Sequence, residues 1–225
     1  MRRQDWLRLE EYMYQCMQDS AHDMQHVRRV LNNAIEIAKG ETNVDMDVLL
    51  AAALLHDVGR ADELVDPSAD HALTGSERAC QLLLKMDYPA DFAEHVRQCI
   101  RTHRFRRSDP PATIEAKILF DADKLDVCGT IGIARTLMYS GEHHRPIYNT
   151  EPDGTPRDGQ DDSEDSFFHE YRFKLEGMYD RFQTKRGAEL ARERQKAAAD
   201  FYQALLREVR SAESRAAFEA LFIDP

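Results

Sequence analysis

Apolar residues recur along the chain at the three- to four-residue spacing of amphipathic helices, and no segment alternates as a β-strand would. We therefore expect an all-α fold. Ser20 and Asp23 have the spacing of a capping box at the start of the second predicted helix. The pattern predicts helices at about residues 3–18, 22–39, 46–58, 70–86, 89–103, 112–139, 164–182 and 185–222, the last of them interrupted.

The apolar run from Val48 to Leu55 is followed directly by His56 and Asp57. A helix that is apolar on all sides is expected to be buried. An unpaired carboxylate at its buried end would destabilise the fold by several kcal/mol. Asp57 therefore needs a basic partner, solvent at a cleft or a metal cation.

The length of 225 residues suits one large domain. Residues 140–165 are rich in glycine, proline and acidic residues, which predicts a long loop. We expect a single domain over residues 1–225, with a core at about 20–140 and C-terminal helices at about 165–222 that pack on this core.

The chain has 41 acidic and 30 basic residues, and hence a net charge of −11. It would repel duplex phosphates, so we expect no duplex nucleic acid as a partner, whereas a local basic pocket could still bind a small anion. No apolar run approaches the ~20 residues of a membrane span, and the amino terminus lacks a signal-peptide stretch, so we expect a cytoplasmic protein with no membrane partner. The four cysteines form no CxxC pair, which predicts reduced thiols.

Histidines and acids occur at three places on the apolar helices: His26, the pair His56–Asp57, and Asp121, Asp123 and Asp126 in ILFDADKLDVCG. Imidazole and carboxylate together suit Mn, Fe, Co, Ni, Zn or Mg ions. Each place has an ordinary structural alternative, namely a hydrogen-bonded core histidine, a polar helix end or a solvated acidic face. The order and spacing of the three places favour a metal site.

This order of H, HD and D, carried by His26, His56–Asp57 and Asp123, resembles the HD superfamily of metal-dependent phosphohydrolases. The stretches HDMQHVRRVLNNA, AALLHDVGR, TIEAKILFDADKLDVCGTIGIARTL and FFHEYRFKLEGMYDRFQTKRGAELARER are similar to its small bacterial single-domain branch, which includes nucleotide pyrophosphohydrolases. The resemblance covers about residues 20–205. It implies an HD-type domain: an all-α helical bundle with a C-terminal helical extension.

The resemblance implies that His26, His56, Asp57 and Asp123 bind one divalent transition metal, Mn, Co, Ni or Fe, with Mg or Zn as alternatives. It also implies that a metal-activated water hydrolyses a phosphoanhydride or phosphoester bond of a nucleotide. The leading reaction converts a nucleoside triphosphate into a monophosphate and pyrophosphate. Asp57 is the candidate to orient or deprotonate the water.

The choice of aspartate rests on helix geometry and on the family pattern. Asp121 and Asp123 differ by about 200° around a helix, so they cannot easily reach the same ion. The family's alanine, aspartate, basic residue and leucine fall on residues 122–125, which favours Asp123 and leaves Asp121 as the alternative. Asp126, about one turn from Asp123, could orient a ligand histidine.

Candidates for substrate binding are Arg60, Lys124 and the basic segment IRTHRFRR, with Arg101, Arg104, Arg106 and Arg107 around His103. These groups would attract a small phosphorylated anion, with a nucleotide as the expected partner, or would merely complement a helix end. HD enzymes with a second metal use extra histidines, for which His71 and His103 are candidates. We favour a single metal, in which case His103 would donate a proton or a hydrogen bond to phosphate.

Two other functions stay open: an HD-type di-iron oxygenase, which requires His71 and His103 as ligands, and a non-catalytic nucleotide-binding or interaction domain. Relatives that act on signalling nucleotides resemble HDxxED after the HD pair, whereas HDVGRADE has Arg60 and Ala61 at those positions. This departure argues against that specific activity. Homodimerisation is left open.

Overall fold

The computed structural model describes residues 1–17, 24–66, 68–104, 109–160 and 163–212. These residues are mainly helical and form no strand, only an isolated bridge between Thr150 and Pro156, which confirms the all-α prediction. The predicted capping residues Ser20 and Asp23 lie outside this described part. The α-helices are α1 Arg3–Cys16, α2 Met24–Ala38, α3 Met46–Leu55, α4 Arg60–Val65, α5 His71–Lys85, α6 Ala90–Arg101, α7 Ile114–Leu125, α8 Gly129–Glu142, α9 Phe167–Glu170 and α10 Lys185–Ala212.

The first of two compact units comprises Met1–Asp126 and Phe182–Ala188. Its central helix is α3, which packs against α1, α2, α6 and α7. Residues from Val48 to Leu55 are buried, apart from the half-buried Leu50. Burial of one large aliphatic side chain contributes about 1.5–3 kcal/mol, so this apolar run strongly favours the central position of α3.

The second unit comprises Val127–Arg181 and the chain from Glu189 onward. Its core is aromatic: the rings of Tyr171 and Tyr202 stack with centroids 4.2 Å apart, and Phe168 meets Tyr202 edge-on at 5.2 Å. The Tyr202 hydroxyl donates to the carbonyl of Asp158 at 2.5 Å. These contacts join α10 to α9, to the turn that follows α9 and, through Asp158, to the segment before it. The expected packing of the C-terminal helices on the core stays a prediction.

The prediction of one helix over 112–139 is wrong. The chain leaves helical geometry between Leu125 and Gly129, whose φ of +65° lies in the left-handed region that favours glycine. At this break Asp126 is buried, and its carboxylate contacts His26 and Arg29. The apolar periodicity continues across the break, which explains why the pattern alone conceals it.

One other helix prediction is wrong. The region 164–182 is not one regular helix, because α9 is followed by a π-helical turn, Tyr171–Leu175, and a 3₁₀ turn, Met178–Arg181. For the last predicted helix, α10 is continuous from Lys185 to Ala212, and residues 213–222 of the prediction lie outside the described residues, so the expected interruption stays a prediction.

The region of the predicted loop has no helix among its described residues from His143 to Ser166. Arg157 and Glu151 form an ion pair at 3.0 Å beside the Thr150–Pro156 bridge. All four cysteines are free thiols, as predicted. Within the described part of the chain, no helix combines the length and the apolarity needed to cross a membrane.

Candidate metal centre

Five helices of the first unit bring six titratable side chains to one place. His26 lies on α2, His56 and Asp57 follow α3, His71 opens α5, His103 follows α6, and Asp123 lies in the last turn of α7. The four histidines and Asp57 are at most 2% exposed, while the Asp123 side chain is 18% exposed. The site is therefore buried and has its most accessible edge at Asp123.

The four predicted metal ligands form the first group. The Nε2 atom of His26 lies 3.2 Å from Nε2 of His56 and 3.5 Å from Oδ1 of Asp123. Oδ2 of Asp57 lies 3.6 Å from the Nε2 atoms of both histidines. The ligand atoms of His26, His56 and Asp123 all lie within 4.8 Å of one another, which is the spacing that a shared ion requires.

A second group lies on the other side of Asp57. Its Oδ1 atom is 3.3 Å from Nε2 of His71 and 3.9 Å from Nε2 of His103. These three ligand atoms are also within 4.8 Å of one another. Asp57 thus presents one carboxylate oxygen to each group.

Backbone carbonyls fix the ring orientation of two of the histidines. Nδ1 of His56 lies 2.8 Å from the Ala53 carbonyl, and Nδ1 of His103 lies 2.6 Å from the Ile100 carbonyl. These carbonyls are in the last turns of α3 and α6, where carbonyls lack helical partners. Because a carbonyl only accepts, each Nδ1 carries the proton and each Nε2 presents a lone pair.

Carboxylates hold the other two histidines. Nδ1 of His26 donates to Oδ2 of Asp126 at 2.7 Å, and Arg29 Nε donates to the other oxygen of that carboxylate at 2.5 Å. Nδ1 of His71 contacts Oε2 of Glu63. A carboxylate behind an imidazole fixes its tautomer and orients it as a metal ligand. Asp126 therefore has the geometry of the expected orienting group.

The donor set fits a cation. Four Nε2 lone pairs and two carboxylates converge in a buried space, and neither Oδ1 of Asp57 nor Nε2 of His71 has a hydrogen-bond partner. Such an arrangement is unfavourable without a positive charge between the donors. Nitrogen and oxygen ligands in these numbers suit divalent transition metals.

The protonation states agree with this interpretation. Burial lowers the pKa of His56 and His71, and it lowers the pKa of His103 to about 3, so these rings are neutral at pH 7. Burial opposes ionisation of Asp57 and Asp123, but the positive charges nearby, with Arg60 beside Asp57 and Lys124 beside Asp123, hold both pKa values well below the ordinary range. The histidines are thus available as ligands and the aspartates are charged.

Three of the predicted basic residues lie at the site. Nη2 of Arg60 is 3.4 Å from Oδ2 of Asp57, Nη1 of Arg104 is 3.2 Å from Oε1 of Glu63, and Nζ of Lys124 is 2.9 Å from Oδ2 of Asp123. Arg101 instead pairs with Asp109 at 3.5 Å. Arg106 and Arg107 lie outside the described residues.

Asp121, the alternative to Asp123, has a different environment. Its Oδ1 accepts from the backbone N–H of Gln183 at 2.8 Å, and its Oδ2 accepts from the N–H of Thr184 at 2.7 Å and from its hydroxyl at 2.6 Å. Asp121 therefore fixes the position of Gln183 and Thr184, the two residues just before α10. These contacts support Asp123 as the ligand.

Sequence reasoning missed Glu63 and Arg29. Glu63 was evident only as an acid in HDVGRADE, and its contact with His71 joins two different helices. Arg29 lies on the same helix as His26, at the spacing of neighbouring side chains on one face. That spacing could have suggested a shared partner for the two residues.

A buried cluster of histidines and aspartates in an all-α unit defines the class of this protein. The HD domain profile matches residues 24–128. The chain belongs to the HD-domain family of metal-dependent hydrolases.

Over 183 residues, 79% of each sequence, the chain is 32% identical to YpgQ of Bacillus subtilis (strain 168), an uncharacterized protein. Among solved structures it is similar to a predicted HD superfamily hydrolase from an uncultured Thermotogales bacterium, with 30% identity, 92% of each chain covered and a TM-score of 0.61. It is also similar to B. subtilis YpgQ in complex with ADP, with 25% identity, 91% of this chain and 95% of that chain covered, and a TM-score of 0.69.

Proposed function

We propose that the chain hydrolyses a phosphoanhydride or phosphoester bond of a nucleotide, with conversion of a nucleoside triphosphate into a monophosphate and pyrophosphate as the leading reaction. The observation that carries the proposal is the convergence of four Nε2 lone pairs and two carboxylates beside the side chains of Arg60, Arg104 and Lys124. The ADP bound by YpgQ supports a nucleotide as the ligand.

The two donor groups support two metal positions rather than the single metal that the sequence favours. His26, His56 and Asp123 would hold the first ion, and His71 and His103 would hold the second. Asp57 would bridge the ions, since each of its oxygens faces one group. A bound divalent ion supplies Lewis-acid polarisation of a phosphoryl oxygen and lowers the pKa of a coordinated water.

Asp57 would orient the attacking water rather than act as a strong base. Its pKa lies well below the ordinary value, so it holds a proton poorly at neutral pH. Its two oxygens face the two donor groups, which leaves them suited to ligation and to accepting a hydrogen bond.

The basic side chains would bind the phosphate chain. Side chains of Arg60, Arg104 and Lys124 are 21%, 14% and 14% exposed, so each is accessible from solvent while lying beside the metal ligands. Guanidinium groups can bind phosphate through two parallel hydrogen bonds. Against a net charge of −11, such groups provide the local attraction that an anionic substrate needs.

His103 fits the role of ligand better than that of proton donor. Its Nδ1 proton is committed to the Ile100 carbonyl, and its pKa of about 3 leaves Nε2 unprotonated at neutral pH. The presence of both His71 and His103 also satisfies the requirement of the di-iron oxygenase alternative. The three basic groups beside the cluster favour phosphate chemistry over that alternative.

The test is a substrate screen with protein loaded with Mn²⁺, Co²⁺ or Ni²⁺. Ribonucleoside and deoxynucleoside triphosphates are supplied, and released phosphate, pyrophosphate and nucleotide are quantified. We expect monophosphate and pyrophosphate in equal amounts, and loss of turnover in Asp57→Asn. Loaded protein that releases nothing from any phosphate ester or anhydride would refute the proposal, and oxygen consumption by the iron form beyond the amount that oxidises its own iron would favour the oxygenase.

A further inference from the structure

His71, a member of the second donor group, has a carboxylate at its Nδ1 atom. Among the described residues, this carboxylate belongs to Glu63. It lies on α4, whereas His71 is the first residue of α5. Its Oε2 contacts Nδ1 of His71. Nη1 of Arg104 lies 3.2 Å and 3.4 Å from the two carboxylate oxygens, and Nη1 of Arg60 lies 3.5 Å from Oε2. The carboxylate thus lies between an imidazole and two guanidinium groups.

The same geometry offers His71 two competing hydrogen-bond partners. Nδ1 is also 3.0 Å from Nη1 of Arg104 and 3.3 Å from Nη1 of Arg60. A guanidinium only donates, so a bond from Arg104 would require an unprotonated Nδ1 and would move the proton to Nε2. A bond to Glu63 requires the opposite tautomer, with the proton on Nδ1.

The contacts on the far side of the ring favour the bond to Glu63. A proton on Nε2 would point toward Oδ1 of Asp57, 3.3 Å away. Yet these two buried atoms do not form a hydrogen bond, and neither has another partner. Glu63 is also the nearest of the three groups around Nδ1. The arrangement is therefore that of a proton on Nδ1 and a lone pair on Nε2.

We propose that Glu63 is the positioning residue of the second metal position: it keeps the proton of His71 on Nδ1, so that Nε2 faces the ion as a ligand. The inference rests on the proposed two-position centre. Arg104 and Arg60 hold the carboxylate in place. Glu63 acts through His71 and touches neither the ion nor the substrate.

The proposal predicts more than the loss of one contact when Glu63 is replaced. Without the carboxylate, Nδ1 of His71 would face only the guanidinium groups of Arg104 and Arg60. They would donate to Nδ1, the proton would move to Nε2, and the ring would no longer present a lone pair to the ion. Outer carboxylates of this kind typically change metal affinity by about 10- to 100-fold.

The experiment compares metal binding by the wild type and by Glu63→Ala, which removes both acceptor oxygens from the neighbourhood of Nδ1 of His71. Titration of metal-free protein with Mn²⁺ should give two equivalents in the wild type. In the variant the first equivalent should bind as before, and the dissociation constant of the second should rise about 10- to 100-fold. Glu77→Ala is the matched control, because Glu77 is an exposed residue of α5 that pairs with Arg97 of α6, and it should leave both equivalents unchanged.

A second readout follows the tautomer directly. In metal-free wild type, the ¹⁵N shifts of His71 should report the proton on Nδ1, and in Glu63→Ala they should report it on Nε2. Glu63→Gln provides a second substitution: its amide oxygen can still accept from Nδ1, so it should weaken the second equivalent less than Glu63→Ala does. Circular dichroism confirms folding of each variant.

The outcomes separate this inference from the proposed function. Wild-type His71 with its proton on Nε2, or a second equivalent that binds to Glu63→Ala as tightly as to the wild type, would overturn the role of Glu63. Binding of only one equivalent by the wild type would instead refute the two-position centre, and the tautomer measurement would still decide whether Glu63 positions His71.

Discussion

Two aspartates only two residues apart have separate tasks in this chain. Asp121 accepts three hydrogen bonds from Gln183 and Thr184, whereas Asp123 lies 3.5 Å from Nε2 of His26. Their difference of about 200° around α7 directs one side chain toward the start of α10 and the other toward the histidines. Their substitutions should therefore have different effects.

Asp123→Asn should lose metal, and Asp121→Asn should lose stability. An amide in place of the Asp121 carboxylate loses one acceptor and leaves a buried donor unsatisfied, which lowers the free energy of unfolding by about 1–3 kcal/mol. Urea unfolding and elemental analysis of both variants would measure the two effects. Metal loss in Asp121→Asn with full retention in Asp123→Asn would reverse the assignment.

At this scale, the order of H, HD and D and the family resemblance singled out four residues that lie together, His26, His56, Asp57 and Asp123. The pattern is visible in the sequence because His26 and Asp123 lie on, and the pair His56–Asp57 directly follows, helices whose apolar faces are directed to the same core. Glu63 escaped prediction, because its partner His71 is on another helix and no periodicity relates two helices. The sequence shows which chemical groups are present, but it does not show which residues of other helices contact them.

Helix ends, rather than helix middles, build much of the centre. His56 and His103 follow the last turns of α3 and α6, and His71 begins α5. The turn between α3 and α4 approaches α5 closely at Gly59, where an added Cβ would lie 2.4 Å from the His71 carbonyl and 2.6 Å from the Gly75 nitrogen. This turn therefore has room only for glycine.

Gly59→Ala should destabilise the protein and disturb the second metal position. The methyl group would force α5 away from the turn, and overpacking of this kind typically costs about 1–3 kcal/mol of unfolding free energy. Thermal unfolding and the Mn²⁺ stoichiometry would measure both effects. Gly141→Ala is the matched control, because nothing lies within 4 Å of its added Cβ, and it should be neutral or slightly stabilising. Equal behaviour of the two variants would contradict the close approach.

The elements themselves were only partly predictable. α3 was evident, since a continuous apolar run bounded by polar residues specifies a buried helix. The break between α7 and α8 was not, because apolar spacing continues through it and the reason for the break is tertiary: Asp126 contacts His26 and Arg29. The π-helical turn at Tyr171–Leu175 likewise occurs among packed aromatic rings that helix periodicity does not encode.

For the whole molecule, the buried donors link metal binding to folding. Four imidazoles and two charged carboxylates are held together only in the folded chain, where their ligand atoms face one another. The unfolded chain separates them and solvates them. Cations that bind the folded form alone shift the equilibrium toward it by mass action.

The organisation of all 225 residues as a single domain stays a prediction.

Mn²⁺ should raise the melting temperature, and chelation should reverse the rise. At a free concentration one hundred times the dissociation constant, one site adds about 2.7 kcal/mol to the free energy of unfolding. Scanning calorimetry across a Mn²⁺ series would measure it. Asp57→Asn removes the shared carboxylate, so it should show little response to Mn²⁺ and should equal or exceed the stability of metal-free wild type. A melting temperature independent of metal in the wild type would contradict the linkage.

The Nδ1 partners divide the four histidines into two kinds. His56 and His103 rest on main-chain oxygens of Ala53 and Ile100, which no substitution can remove, whereas His26 and His71 rest on Asp126 and Glu63, which a single codon change can replace. Each donor group holds one ring of each kind. Substitution of Asp126 or Glu63 can therefore change the metal affinity of one donor group, while the histidine held by a main-chain carbonyl keeps its orientation in that group.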